Sequence, residues 1–254
     1  MLHEGNQLKK FDIHATDGSI GTVHDLFFDD EKWTTRYLVV DTMKWLPGRK
    51  VLVSPMSIQN VNIPENKVEL ALTKENIKNS PDIDTDKPVS KQKEIEIGSY
   101  YGYPPYRSIA GTEVGGQYLV PGQLAVSLEK EQGNINHDDI ERADEPNLRS
   151  MKEVTGYHIH AVDGNIGHVE DFIICPITWT LRYMVVDTKN WWPGKKVLVS
   201  PDWIKDVRWA DSKVYVDLSV DTIKNGPEYE KDKFINREFE EVLYDKYNKR
   251  KYWY

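Results

Sequence analysis

The chain repeats itself. Lys10–Asp82 and Gly156–Glu228 align without a gap at a constant offset of 146. Roughly half the aligned positions are identical, which marks a tandem copy of one compact module. The first copy reads IHATDGSIGTVHDL and then RYLVVD and KVLVSP; the second reads IHAVDGNIGHVEDF, RYMVVD and KVLVSP. Whatever the chain does, it folds the same unit twice.

Each core of about 75 residues is marginal alone, because a unit of that size buries only about 60% of its unfolded surface. Intramolecular packing of one repeat against the other is therefore expected, and a homodimer is compatible with the same need. The sequence divides into residues 1–101 as the first repeat, 102–147 as a flexible linker rich in Gly, Pro and polar residues, and 148–254 as the second repeat.

Within each copy the pattern is all-β. Phe11–Thr16 and Ile20–Phe28 flank Asp17-Gly18, and Tyr157–Val162 and Ile166–Ile174 flank Asp163-Gly164. Asp-Gly between β-rich runs predicts a hairpin with a type I′ turn. Gly21 and Gly167 inside the outgoing strands predict a bulge or a close backbone approach. Arg36–Asp41 and Arg182–Asp187 are apolar at consecutive positions, which predicts strands buried on both faces. Lys50–Ser54 and Lys196–Ser200 follow, each ended by a proline, and a hairpin closes the unit at Ile58–Leu72 and Ile204–Leu218. Five or six short antiparallel strands without a long helix predict a small barrel or sandwich.

Thr73 and Ser219 are placed to cap short helical turns ending before Pro81 and Pro227. Phe234–Lys251 carries Ile235, Phe239, Val242, Leu243 and Tyr247 at helical spacing, so an amphipathic C-terminal helix is expected, with Val89–Tyr101 as its weaker counterpart. Leu2–Leu8 and Leu148–Val154 read as matching irregular lead-ins.

The order Asp-Gly-x-Ile-Gly-x-Val-x-Asp, Arg-Tyr-x-Val-Val-Asp, Val-Leu-Val-Ser-Pro resembles the PRC-barrel family. The residues that carry it are Asp17, Gly18, Gly21, Val23, Asp25, Tyr37–Asp41 and Val51–Pro55, with their second-copy equivalents Asp163, Gly164, Gly167, Val169, Asp171, Tyr183–Asp187 and Val197–Pro201. The resemblance implies two small PRC-like β-barrels in tandem. The family includes the cytoplasmic domain of the photosynthetic reaction-centre H subunit, and a similar barrel ends a ribosome-maturation factor. In both the barrel docks partners, so the resemblance implies a non-catalytic adaptor or scaffold for proteins, at the cytoplasmic face of a membrane complex. The alternatives are an RNA- or ribosome-associated assembly factor, and a metal-dependent or small-molecule enzyme.

Composition favours the first. The net charge is −8 and each copy is itself mildly acidic, which makes nucleic acid a poor default partner. Cys175 is the single cysteine, consistent with a reducing compartment. No apolar stretch reaches 18 residues, so no membrane span and a cytoplasmic location are expected.

For partner binding the loops Thr42–Arg49 and Thr188–Lys195 stand out. They offer Trp45, Pro47, Arg49 and Lys50, and Trp191, Trp192, Pro193, Lys195 and Lys196: indoles and cations at rigid turns, the chemistry of interface anchors. The competing expectation is that Trp45 and Trp191 fold back to plug the barrel end, the commoner fate of an aromatic residue in a small domain. His14, with Asp12, and the pair His158 and His160 are weak metal candidates without an identifiable third ligand. Structural roles are expected for them, as for Asp17, Asp25, Asp41 and their equivalents, with Arg36 and Arg182 as ion-pair partners. An inert thiol is expected at Cys175, and no cofactor: no nucleotide or nucleophile motif occurs.

Overall fold

The computed structural model describes residues 2–42, 45–83, 89–103, 148–188, 195–231 and 233–253. The chain opens with a two-residue strand β1 (His3–Glu4) and a helical turn α1 (Gly5–Leu8). The first copy then runs β2 (Asp12–Ala15), β3 (Gly18–Asp29), β4 (Thr34–Asp41), β5 (Lys50–Val53), β6 (Ile58–Asn62), β7 (Lys67–Leu70), α2 (Lys74–Lys78) and α3 (Lys91–Tyr101). The second opens with β8 (Leu148–Ser150) and α4 (Met151–Val154), and continues through β9 (His158–His160), β10 (Asn165–Ile174), β11 (Leu181–Asp187), β12 (Lys196–Val199), β13 (Ile204–Arg208), β14 (Lys213–Val216), α5 (Val220–Lys224) and α6 (Arg237–Lys246).

The fold is mostly β, as the pattern predicts. Each copy contributes six strands to a seven-stranded sheet, in the order β5-β4-β3-β2-β7-β6 and β12-β11-β10-β9-β14-β13. The two ends of each path are consecutive strands joined by a 3-10 turn, Pro55–Ser57 or Pro201–Trp203, which Ser54 or Ser200 caps. One pairing departs from the all-antiparallel expectation: β2 with β7, and β9 with β14, run parallel. The closing hairpin lies on the far side of β2, so its second strand enters in the same direction as β2.

The apolar central strands sit where their sequence demands. Leu38, Val39 and Val40, and Tyr183, Met184, Val185 and Val186, are all buried between two hydrogen-bonded neighbours. Each such side chain contributes about 2 kcal/mol by leaving water. Gly21 and Gly167 show both predicted features. The residue before each is an extra one in the ladder, and an added Cβ would lie 1.9 Å from the Asp41 carbonyl oxygen or 2.0 Å from that of Asp187. Only glycine fits there. The turn at Asp17-Gly18 is not type I′, which needs positive φ at both residues: Gly18 has φ 132°, but Asp17 does not lie in that region. The strands close one residue earlier, with Ala15 opposite Gly18, so the two loop residues are Thr16 and Asp17.

The lead-ins are the main correction, because they are not irregular. The β8 strand pairs antiparallel with β3 of the first copy, and β1 pairs antiparallel with β10 of the second. Each sheet thus takes its seventh strand from the other half of the sequence. The compact units follow suit. One comprises Met1–Asn6, Met151–Pro176 and Thr180–Tyr254; the other comprises Gln7–Ser150 and Ile177–Trp179.

Helix α6 corrects the expected apolar face. Ile235, Leu243 and Tyr247 are buried, but Val242 is exposed, and Glu240 and Tyr244 are buried in its place. Glu240 tolerates burial because donors surround it.

Candidate functional site

The Thr42–Lys50 loop is built around one buried hydroxyl. Thr42 Oγ1 donates to the carbonyls of Leu46 at 3.1 Å and Arg49 at 2.5 Å. Its own carbonyl accepts from the Trp45 and Leu46 amides at 2.8 Å, and Gly48 turns the chain with φ 79°. Thr188 repeats the clamp, donating from Oγ1 to the Lys195 carbonyl at 2.9 Å. Sequence reasoning read these threonines only as loop boundaries, although both copies carry one at that position.

Arg49 bolts the loop to the end of α2. Its guanidinium donates to the carbonyls of Lys78 and Ser80, and its Nε lies 2.9 Å from Asp82 Oδ1. Lys195 does the same for α5, donating to the carbonyls of Lys224 at 2.5 Å and Gly226 at 3.1 Å. A cation at a helix C-terminus meets the carbonyls left without intrahelical donors and the negative end of the dipole. Both cations therefore serve the fold. Lys196 pairs with Glu170 at 2.6 Å, whereas Lys50 has His24 at the aligned position and no carboxylate partner among the described residues.

Trp45 is half-buried, with Lys74 Nζ 5.6 Å from its ring centroid, while Pro47 and Gly48 are exposed. Beside them opens a depression of about 620 Å³ lined by Gly48, Arg49, Lys50, Asp82 and Ile83. Trp191, Trp192 and Pro193 lie outside the described residues, as does linker sequence 104–147.

The aspartates have structural work, though not the expected partners. Asp17 and Asp163 accept the first amides of α2 and α5, from Lys74 and Val220, at 2.8 Å, which ties each hairpin turn to a helix start. Asp25 and Asp171 are buried; each accepts its following amide at 2.8 Å. Asp25 also accepts Ser150 Oγ at 2.5 Å, and Asp171 accepts the Asn6 amide at 3.1 Å. Arg36 pairs instead with Asp29 at 3.3 Å and Glu94 at 3.1 Å, and Arg182 stacks on the Tyr252 ring at 4.4 Å. Asp41 and Asp187 end their strands opposite Lys50 and Lys196.

Among the described residues no three of His, Cys, Asp and Glu gather into a metal-binding group. His160 stacks on Tyr215 at 5.2 Å, and burial, then Lys213 and His158, hold its pKa below the usual imidazole range. His158 lies opposite His168 and Lys213 in the sheet, and His14 lies opposite Ser19 and Glu69. Cys175 is in no disulfide.

Sequence reasoning missed the pair Trp33 and Trp179, both buried and both at positive φ, 51° and 58°. Trp33 stacks on Phe28 at 5.2 Å, and the Trp179 carbonyl accepts the Thr35 amide at 2.7 Å. Their signal was a Trp-Thr dipeptide in the same place in both copies.

What this geometry defines is a small β module whose loop cations Arg49 and Lys195 are held by carbonyls at the ends of α2 and α5. The PRC-barrel domain family matches residues 3–77, so the first copy is a PRC-barrel domain. The second shares its strand order and its bulges. An uncharacterized protein of Deinococcus radiodurans is 36% identical over 94 residues, covering 36% of this chain. The match spans about a third of that relative, 33% of its length. Among the described residues no helix is long and apolar enough to cross a membrane.

Proposed function

We propose that the chain is a non-catalytic adaptor whose two units dock protein partners, in the cytoplasm and peripheral to a membrane complex. Trp45, Pro47 and Lys50 are the contacts offered by the first copy, and Trp191, Trp192 and Pro193 their equivalents in the second. One observation carries this reading. The described part of the loop, Trp45–Lys50, is clamped by Thr42 inside and held by Arg49 to α2, yet it leaves Pro47 and Gly48 exposed beside an open depression. A loop already fixed in one shape loses little conformational entropy when a partner closes on it. The half-buried indole supplies both a packing face and an anchor.

The nucleic-acid reading would need cations free to meet phosphates, and Arg49, Lys195 and Lys196 already hold carbonyls or carboxylates. The test is proximity cross-linking in cells. Trp45→Ala with Trp191→Ala is expected to abolish the partner set while circular dichroism stays unchanged. Recovery of the same partners by the double variant would overturn the assignment of these loops.

A further inference from the structure

Away from the Trp45 loop, a second surface has its occupant on view. We infer that the edge of β3 with Asp25, and the edge of β10 with Asp171, is a docking site for the lead-in of a second copy of the module, filled in this chain by the other repeat.

At the β3 site, Leu148, Arg149 and Ser150 pair with Asp29, Phe28 and Phe27. Leu148 enters the apolar cluster of Phe27, Tyr37, Val39, Leu52, Val89 and Ile97. Arg149 Nε reaches Asp30 Oδ2 at 2.9 Å, and Ser150 donates to Asp25. At the β10 site, His3 and Glu4 pair with Ile174 and Ile173, and the Asn6 amide donates to Asp171. Glu4 accepts from Tyr229 Oη at 2.6 Å and lies 3.8 Å from Lys231. A Cβ on Gly5 would lie 2.1 Å from Met151 Cε, so the lead-in packs closely on that methionine's methyl group. In both sites a buried carboxylate of the receiving repeat accepts a hydrogen bond from the incoming lead-in.

The sequence specifies exchange over self-pairing. At the offset of 146, Asp30 aligns with Pro176, and Tyr229 aligns with Ile83. Were each lead-in to pair with its own copy, Arg149 would meet a proline and Glu4 an isoleucine. The Arg149 and Glu4 partners exist only in the exchanged arrangement, whereas Asp25 and Asp171 would serve either, and a charge left without a partner rejects the wrong pairing. An edge strand accepts an added strand through its main-chain groups, with side-chain sites setting specificity. The linker raises the local concentration of the correct partner without creating the site.

The experiment uses the full chain with a protease site placed between Gly115 and Gly116 and then cut. The two fragments are expected to co-migrate by native mass spectrometry as one species of 29.5 kDa plus the inserted residues. Amide hydrogen exchange on the uncut chain locates the contact. Arg149→Ala is expected to speed exchange at least tenfold at Phe27–Asp29, in the first copy, leaving Ile173 and Ile174 protected. Glu4→Ala is expected to do the reverse. Fragments that separate under native conditions, or variants that deprotect the strand of their own copy, would overturn the inference.

Discussion

Glu94 and Glu240 hold the same position in the two copies, and different neighbours make their burial tolerable. In the first, Glu94 on α3 meets Arg36, which also holds Asp29. In the second, Cys175 stands where Asp29 does, and Arg182 turns onto the face of Tyr252. Glu240 is instead reached by Tyr183 at 2.7 Å, Tyr252 at 2.9 Å and Arg237 at 3.0 Å. The last turn of chain completes that set. Trp253 packs edge-on to Tyr244 at 5.1 Å, with Arg237 over its ring at 4.1 Å. Burial, with Tyr244 and Glu240 close by, pushes the Tyr183 pKa far up, so its phenol stays a donor. The duplicated sheet is constant, while the helix that covers it was free to change its polar partners, provided the buried carboxylate kept donors.

The sharpest way to break that comparison is to attack what the copies share. Gly21→Ala and Gly167→Ala each drive a methyl into a carbonyl at a positive φ, and each should cost about 4 kcal/mol in urea unfolding followed by tryptophan fluorescence. Near-equal losses support a common scaffold; a large inequality between them would refute it. The next effect should be unequal. Glu240→Ala removes the buried acceptor of the Tyr183 and Tyr252 hydroxyls and should cost about 3 kcal/mol. Glu94→Ala, at a position with a more exposed side chain, should cost about 1 kcal/mol. Reversal of that order would mean the aromatic tail, not the carboxylate, stabilises the second copy. Smaller still, Arg49→Ala and Lys195→Ala remove equivalent helix-end cations and should each lower stability by about 1 kcal/mol. A null result at Arg49 with lost partner binding would return its charge to the docking surface.

The strands were legible because each depends on its own residues. Consecutive apolar positions in Tyr37–Val40 report burial on both faces, and Gly21 reports a close approach. Even the helix caps at Thr73 and Ser219 could be read locally, and both form, accepting the amides of Asn76 and Thr222. What escaped was long-range. Nothing near Leu148 says that it pairs with Asp29 some 120 residues away, because a two- or three-residue strand has no period to detect. Arg36 pointed to a carboxylate, but not to one on α3. Arg49 looked like an interface cation until α2 supplied carbonyls for it. Trp45 could be seen as anchor or plug, and it is half-buried.

The subtlest difference between copies lies at the histidines. His14 is beside Asp12 and pairs in register with Glu69, whereas His160 is beside His158 and stacks on Tyr215, with Lys213 near and Arg208 over the same tyrosine ring at 4.8 Å. Burial first, then Lys213 and His158, lowers the His160 pKa below its unfolded value near 6.5. A histidine depressed in this way contributes stability that is present above about pH 6.5 and is lost as pH falls through the folded pKa, because the unfolded chain then binds the proton more readily. His160→Phe keeps a ring against Tyr215 and removes the titration. Melting curves at pH 7.5 and 5.5 should therefore show a smaller drop in midpoint for the variant than for the parent chain. An equal drop in both would place the acid sensitivity of the second copy elsewhere.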